Sequence, residues 1–302
     1  KTKRWSLLIG GRFDKHNLVD HVIFSPRANI RFNPSEAVNL RVSYAGGYRA
    51  PQAFDEDMHI AVVGGKRVRI RLADDLKEER SHSVSLSADL YHNFGRVQTN
   101  LLVEGFYTIL DDVFALRDLE DTDDGGKIKE RYNGSGAAVR GFNVEGRAIF
   151  TRWFELQAGV TLQQSRYKES EQWSEDADVP PVRRMFRTPD AYGYFTASFK
   201  PVRNFTADLT GTCTGSMLVQ HMAGSGVAQD AAVSTPSFFD MNVRLSYDLR
   251  IYKEITLQLY GGVQNLFNAY QKDFDKGADR DSGYIYGPSL PRSWFVGAKF
   301  SF

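Results

Sequence analysis

Apolar and polar residues alternate along this chain in stretches of about ten positions, and the alternation recurs from one end to the other. Between Ser83 and Tyr91, Val84, Leu86, Ala88 and Leu90 fall on one face of an extended backbone, and Ser83, Ser85, Ser87 and Asp89 on the other. The same division sets Phe154, Leu156, Ala158, Val160 and Leu162 against Glu155, Gln157, Thr161 and Gln163. It also sets Phe239, Met241, Val243, Leu245 and Tyr247 against Asp240, Asn242, Arg244, Ser246 and Asp248. Because successive side chains of a strand point to opposite sides, each stretch is predicted to be a β-strand with one greasy and one wet face. Twelve strands are predicted, beginning near residues 4, 26, 37, 80, 96, 137, 154, 189, 203, 237, 254 and 291.

A soluble antiparallel sheet alternates too, so the connections decide between the readings. Short turns such as Asn33-Pro34-Ser35-Glu36, Asn93-Phe94-Gly95-Arg96 and Thr151-Arg152-Trp153 take turns with long loops near 49–79, 109–136, 168–188, 216–236 and 268–290. Short turns on one rim and long loops on the other are the plan of a transmembrane antiparallel β-barrel of the outer-membrane kind, with the short side periplasmic. A soluble sandwich has no reason to keep that parity. The predicted fold class is therefore all-β, a membrane barrel built as a single unit over residues 1–302 with no internal boundary.

Composition narrows the picture. Aromatics make up 13% of a chain whose mean hydropathy is −0.40, a combination expected where polar lumen residues dilute a lipid-facing band and its aromatic girdles. No apolar run approaches the roughly 20 residues a membrane helix requires. Thirty-eight basic residues against 37 acidic ones leave a net charge of +1, which gives no reason to expect a nucleic-acid partner. The single cysteine, Cys213, excludes an intrachain disulfide and a four-thiolate zinc site. Lys1-Thr2-Lys3-Arg4-Trp5 is basic but lacks a following apolar segment, so it does not read as a signal peptide, and an exported protein beginning this way is expected to have lost its true N-terminus. No nucleophile–base constellation, phosphate-cradling loop or zincin spacing points to an enzyme.

Four segments carry a family resemblance. Gly47-Tyr48-Arg49-Ala50-Pro51-Gln52-Ala53-Phe54 resembles the "FRAP" element of TonB-dependent receptors. Ala73-Asp74-Asp75-Leu76-Lys77-Glu78-Glu79-Arg80-Ser81 resembles their "NPDL" element and its continuation, with Ala73-Asp74 in place of Asn-Pro and Glu78 in place of a second proline. Gly262-Val263-Gln264-Asn265-Leu266-Phe267-Asn268 resembles the "NLFD" element, and Tyr284-Ile285-Tyr286-Gly287-Pro288 with Pro291-Arg292 follows it as in that family. The fuller wording is similar to receptors of the Bacteroidetes. The resemblance implies that the twelve strands belong to a 22-stranded barrel whose N-terminal plug is not in this chain, and that the missing N-terminal region meets TonB. It also implies active import of a scarce metal chelate, with haem and cobalamin leading, ferric siderophores next and glycans within range. A surface lipoprotein lid is a further partner implied by it. Trp294, Val296, Phe300 and Phe302 share one face of the final strand and look like the signal read by the barrel-assembly machinery. A complete twelve-stranded passive porin or adhesin, or a small barrel enzyme, is the alternative.

Candidate chemistry falls on the wet face and in the long loops. Arg27, Arg31, Arg41, Asp89, Glu104, Glu145, Arg147, Asp208 and Arg244 are predicted to line the lumen, where they would pair with a plug. Tyr48 and Arg49, at the mouth of the first long loop, are expected ligand contacts, together with His221. His59 lies between two family elements, where the resemblance implies an axial ligand to haem iron. His16 and His21 are placed in outer loops, and His82 and His92 at strand ends. Lys66-Arg67-Val68-Arg69-Ile70-Arg71 alternates basic with apolar residues, so Arg67 and Arg69 are expected to meet lipopolysaccharide phosphates or an anionic ligand. Asp121, Asp123 and Asp124 offer clustered carboxylates for calcium, and Asp273, Asp275, Asp279 and Asp281 form a second acidic stretch. No intrinsic cofactor is expected.

Overall fold

The computed structural model describes residues 4–51, 68–121, 127–252 and 255–302. The chain runs through β1 (Trp5–Asp14), β2 (Ile23–Ser35), β3 (Val38–Arg49), the short β4 (Val68–Leu72), and the long β5 (Glu79–Phe94) and β6 (Val97–Asp111). Next come β7 (Phe114–Asp121), β8 (Lys127–Asn133), β9 (Ala137–Thr151), β10 (Phe154–Glu171) and the three-residue β11 (Val182–Arg184). β12 (Ala191–Val202), β13 (Phe205–Thr214), β14 (Leu218–His221), β15 (Ala231–Ser234), β16 (Phe238–Tyr252), β17 (Ile255–Gln264) and β18 (Ser293–Ser301) complete the order.

Twelve of these strands form one antiparallel meander in the order β1-β2-β3-β5-β6-β9-β10-β12-β13-β16-β17-β18, with β1 and β18 at its edges. They are the twelve predicted from the alternation, each starting within three residues of the expected position. The remaining six lie in segments read as loops. β4, β8 and β7 make a three-stranded sheet in which β4 runs parallel to β8, β14 pairs with β15, and β11 extends the far end of β10. Apart from the alternation at 66–71, which runs into β4, these pieces show no period, yet a folded loop still has to satisfy its backbone N–H and C=O groups, and short ladders do so. The parity of connections holds: β2–β3, β5–β6, β9–β10, β12–β13 and β16–β17 are joined by short turns, and long segments join the strands at the opposite rim.

Register shows what the alternation builds. Ile30, Val42, Leu86, Gly105, Phe142, Leu162 and Ala191 form one unbroken line of cross-strand partners on the apolar face. Their side chains point outward: Leu86 is 61% exposed and Phe142 64%. Buried hydrophobics are displaced from the wall, and apart from Ala197 every one lies in or beside a long segment at the outer rim. A water-soluble sheet would aggregate through such a face, so lipid is its proper solvent. Trp5 stacks on Phe32 with centroids 4.2 Å apart, and Phe154 on Phe199 at 4.6 Å, placing aromatic pairs on the short-turn rim as an interfacial girdle.

The opposite face is stitched by side-chain hydrogen bonds. Thr161 donates to Asn143 at 2.8 Å and Asn143 donates to Glu104 at 3.0 Å, tying three strands together. Asn29 donates to Ser43, Ser198 to Asp208 and Gln258 to Asp248 at 2.6, 2.7 and 2.8 Å. The predicted lumen residues thus share one polar face, and several of them are engaged with their neighbours along the wall.

Candidate functional site

At the outer rim, two of the family-like elements become neighbours through the β3–β5 register, which sets Arg49 opposite Glu79 and Tyr48 opposite Arg80. Arg49 donates to Glu79 at 2.9 Å, and its guanidinium lies 4.9 Å over the Phe114 ring. Glu79 also accepts from the backbone N–H of Phe114. Arg49 is therefore held as a rim fastener, whereas Tyr48, on the same face of β3 as Val42, is half-buried. Glu78 is only 2% exposed, with Arg80 donating to its Oε1 at 2.6 Å and His21 Nε2 3.0 Å from the same atom. Burial opposes its charge, but backbone, Arg80 and His21 hydrogen bonds outweigh it and hold the carboxyl below the usual range. The glutamate that stands where the family pattern has proline is thus the buried centre of an ionic knot.

A second cluster lies in the outer segments that follow β13 and β17. Val219, Phe238, Tyr284 and Tyr286 pack as a hydrophobic core in the outer segments, with Met217, Val233 and Ala269 against them. Asp273 accepts from the Tyr284 hydroxyl at 2.8 Å and the Tyr286 hydroxyl at 2.6 Å. His221 stacks on Tyr284 with centroids 3.7 Å apart and lies 2.9 Å from Asp275 Oδ1. Gln271, 1% exposed, donates to the Tyr284 carbonyl and accepts from the Tyr286 N–H. Gly287 has φ +82°, and a Cβ there would meet the Phe238 ring at 2.8 Å, so a larger residue would be both strained and crowded. Asn265 of the NLFN segment is likewise structural: buried, it donates to the carbonyls of Ala269 and Leu290 at 2.8 Å each and so ties β17 to the approach of β18.

Titration of this cluster has a definite sign. Burial pushes Asp273 up, but hydrogen bonds from the two tyrosine hydroxyls, the backbone and Gln271 together outweigh it and hold its pKa below the usual value. Tyr284 is pushed up to about 12, first by burial and then by its bond to Asp273, and Tyr286 is raised for the same reasons. A depressed carboxyl contributes stability above its ordinary pKa that is lost as pH falls through the folded value. A raised phenol contributes stability below pH 10 that is lost as pH rises through the folded value near 12. The cluster is expected to hold across the neutral range and open only at the extremes. Ultraviolet titration of Tyr284→Phe/Tyr286→Phe against wild type should remove two late-ionising phenols; loss of two that ionise near pH 10 would contradict the arrangement.

Several candidates named from sequence have a definite place. His221 is in β14, buried and engaged in the Tyr284 stack. Arg69 is an exposed residue of β4. Asp121 ends β7, while His59, Arg67, Asp123 and Asp124 lie outside the described residues. Among the described residues no group of three or more His, Cys, Asp or Glu converges on a metal position. The second acidic stretch is spent on hydrogen bonds: Asp281 accepts from the N–H groups of Met222 and Gly283 at 2.8 Å each, and Asp275 from that of Asp281 at 3.1 Å. On the final strand Val296 is 91% exposed, and Trp294, Phe300 and Phe302 are exposed beside it. The Glu78–His21 contact and the Asp273–tyrosine pair were not foreseen. The spacing Tyr284-x-Tyr286 after an acidic run was the available hint, but His21 lies 57 residues from Glu78 and nothing local joins them.

The family model described as TonB dependent receptor-like, beta-barrel matches residues 1–266. No curated protein sequence is a significant match. Among solved structures, a mutant of the ferric enterobactin receptor PfeA from Pseudomonas aeruginosa is 16% identical with a TM-score of 0.68, covering 98% of this chain and 42% of that one. The siderophore receptor PirA from Acinetobacter baumannii is 16% identical with a TM-score of 0.66, covering 99% and 44%. The FrpB iron transporter from Neisseria meningitidis is 16% identical with a TM-score of 0.65, covering 99% and 43%. At such identities the likeness establishes the fold, and this chain spans less than half the length of each structure.

Proposed function

This chain belongs to the TonB-dependent receptor β-barrel family, and from that premise we propose that it forms the C-terminal part of the barrel of an importer of ferric siderophore-type chelates. Its place is the outer membrane. The observation that carries the transport reading is the two-faced wall: an unbroken exposed apolar face backed by a hydrogen-bonded polar one, with every long segment on a single rim. A wall of this kind separates lipid from a polar passage, and the folded outer rim offers a capture surface.

Siderophore-type cargo takes precedence over the haem and cobalamin expected from sequence. The similar solved structures are titled as ferric enterobactin, siderophore and iron receptors or transporters, and His221, one of the imidazoles considered for ligand binding, is committed to Tyr284 and Asp275. TonB is the proposed energy-coupling partner, reached through a region outside this chain. Arg69, exposed on the outer β4–β8–β7 sheet, is proposed to meet anionic groups at the cell surface.

Uptake of radioactive iron by cells expressing the full-length receptor tests the reading. Accumulation from ferric siderophores should depend on the receptor and stop when the proton gradient is collapsed. Uptake that ignores the gradient, or none from any ferric chelate, would reject it.

A further inference from the structure

On the outward face, the register lines that cross β5, β6, β9 and β10 at Leu90, Ala88 and Leu86 are wholly apolar. The next line up is not. It runs through Tyr44, Val84, Tyr107, Arg140 and Gln164, consecutive cross-strand partners from β3 to β10. Tyr107, the partner of Arg140, stands ten residues above the short β5–β6 turn. At about 2.5 Å of height per tilted residue the line lies about 25 Å up, at the outer border of a lipid-facing band of about that height.

Between this line and the one beneath it lies an open groove of about 590 Å³. Leu86, Phe142 and Leu162 wall it, Gly105 leaves its floor without a side chain, and Arg140 and Gln164 stand at its upper end. Arg140 donates from Nε and Nη2 to Gln164 Oε1 at 3.2 and 2.7 Å. Among the described residues this neutral amide is its one polar partner, so one edge of the planar guanidinium is held and the edge shared by Nη1 and Nη2 is free. Other cations near the outer ends of these strands have carboxylate partners: Lys168 pairs with Asp111, Arg80 with Glu78, and Arg166 lies 3.9 Å from Asp190. β9 is an interior strand of the sheet, with β6 and β10 on its two sides, so neither sheet edge adjoins Arg140.

We propose that this groove binds one anionic lipid of the outer leaflet, with a phosphate on the free edge of Arg140 and an acyl chain laid over Gly105 between Leu86 and Phe142. Charge complementarity carries the choice of occupant. A cation at the lipid border is costly among acyl chains, and a headgroup phosphate meets its free edge with two parallel charge-assisted bonds. Gln164 acts as a positioning residue by fixing the plane of the fork. The site faces lipid and is independent of what the passage carries.

Native mass spectrometry of the full-length receptor released from detergent, titrated with phosphatidylglycerol, tests the site. Arg140→Gln should weaken retention of the first lipid about tenfold, because the charged bidentate contact is lost. Gly105→Leu fills the floor without changing charge, its Cβ in ordinary contact 3.4 Å from the Phe142 ring, and should weaken retention about threefold. Zwitterionic phosphatidylcholine should be held by wild type no better than phosphatidylglycerol is by Arg140→Gln. Arg96→Gln, in the short β5–β6 turn, should leave the first lipid in place. Equal retention of the two lipids by wild type, or equal losses from Arg96→Gln and Arg140→Gln, would overturn the proposal and reduce Arg140 to general surface charge. Unaltered retention by Gly105→Leu, or glycerol phosphate bound as tightly as the whole lipid, would reject the groove and leave a site for phosphate alone.

Discussion

Val103→Arg is expected to cost the folded barrel about 2–4 kcal/mol, the penalty for a cation near the middle of a lipid-facing wall. Val103 lies between Ala88 and Val144 on the apolar face, six residues above the short turn. At about 2.5 Å of height per tilted residue this is about 15 Å into the membrane, too deep for the guanidinium to reach a headgroup easily. Ser85→Arg is the matched control. It stands on the polar face between Ser43 and Phe106, where an added cation meets water, and it should fold close to wild type. Urea-driven folding of the full-length receptor into lipid vesicles compares the two. Equal stability of both variants would mean that the faces have been assigned wrongly.

Asp273→Ala is the second large effect. It strips the acceptor from two hydroxyls whose rings lie in the outer-rim core, leaving Tyr284 and Tyr286 unsatisfied. Buried donors without partners cost about 1–3 kcal/mol each, so a local loss of about 3 kcal/mol is expected, with Asp273→Asn losing less because one acceptor oxygen remains. The consequence is regional. The β1–β18 wall makes its own ladders, whereas residues 217–222 and 271–287 depend on this core. Hydrogen exchange should accelerate in those two segments and stay unchanged along β5, β6 and β9. Unchanged protection at 217–222 would show that the cluster does not hold the rim together.

These two experiments address parts of the protein that were legible to different degrees. Val103 could be assigned to the lipid face from sequence because a strand has a period of two, and one strand's worth of residues is enough to read it. The same local rule located the starts of β1 and β18 and the parity of the connections. Asp273 could only be seen as acidic. Its role depends on Tyr284 and Tyr286 returning over it, and that of Asp275 on His221, 54 residues earlier, being stacked beneath the same ring.

The family-like elements show the same boundary. Their residues were recognisable as words, but the reason for their use was not: Arg49 and Glu79, 30 positions apart in sequence, meet because β3 and β5 pair. Glu78 departs from the family pattern, and the sequence alone gave no account of that departure. In the folded chain it is a buried carboxylate held by Arg80 and His21.

What the sequence determined by itself was therefore the wall: its strand count, its two faces, its rims and its membrane. Each follows from alternation and turn spacing, which are properties of neighbours along the chain. Tertiary structure decided the rest. It built six short strands in segments read as loops, committed His221 and Asp273 to the outer rim's own packing, and set Arg49 against Glu79. The physical reason is that a side chain's chemistry is set by what surrounds it, and at the rim and on the polar face those surroundings come from residues tens of positions away.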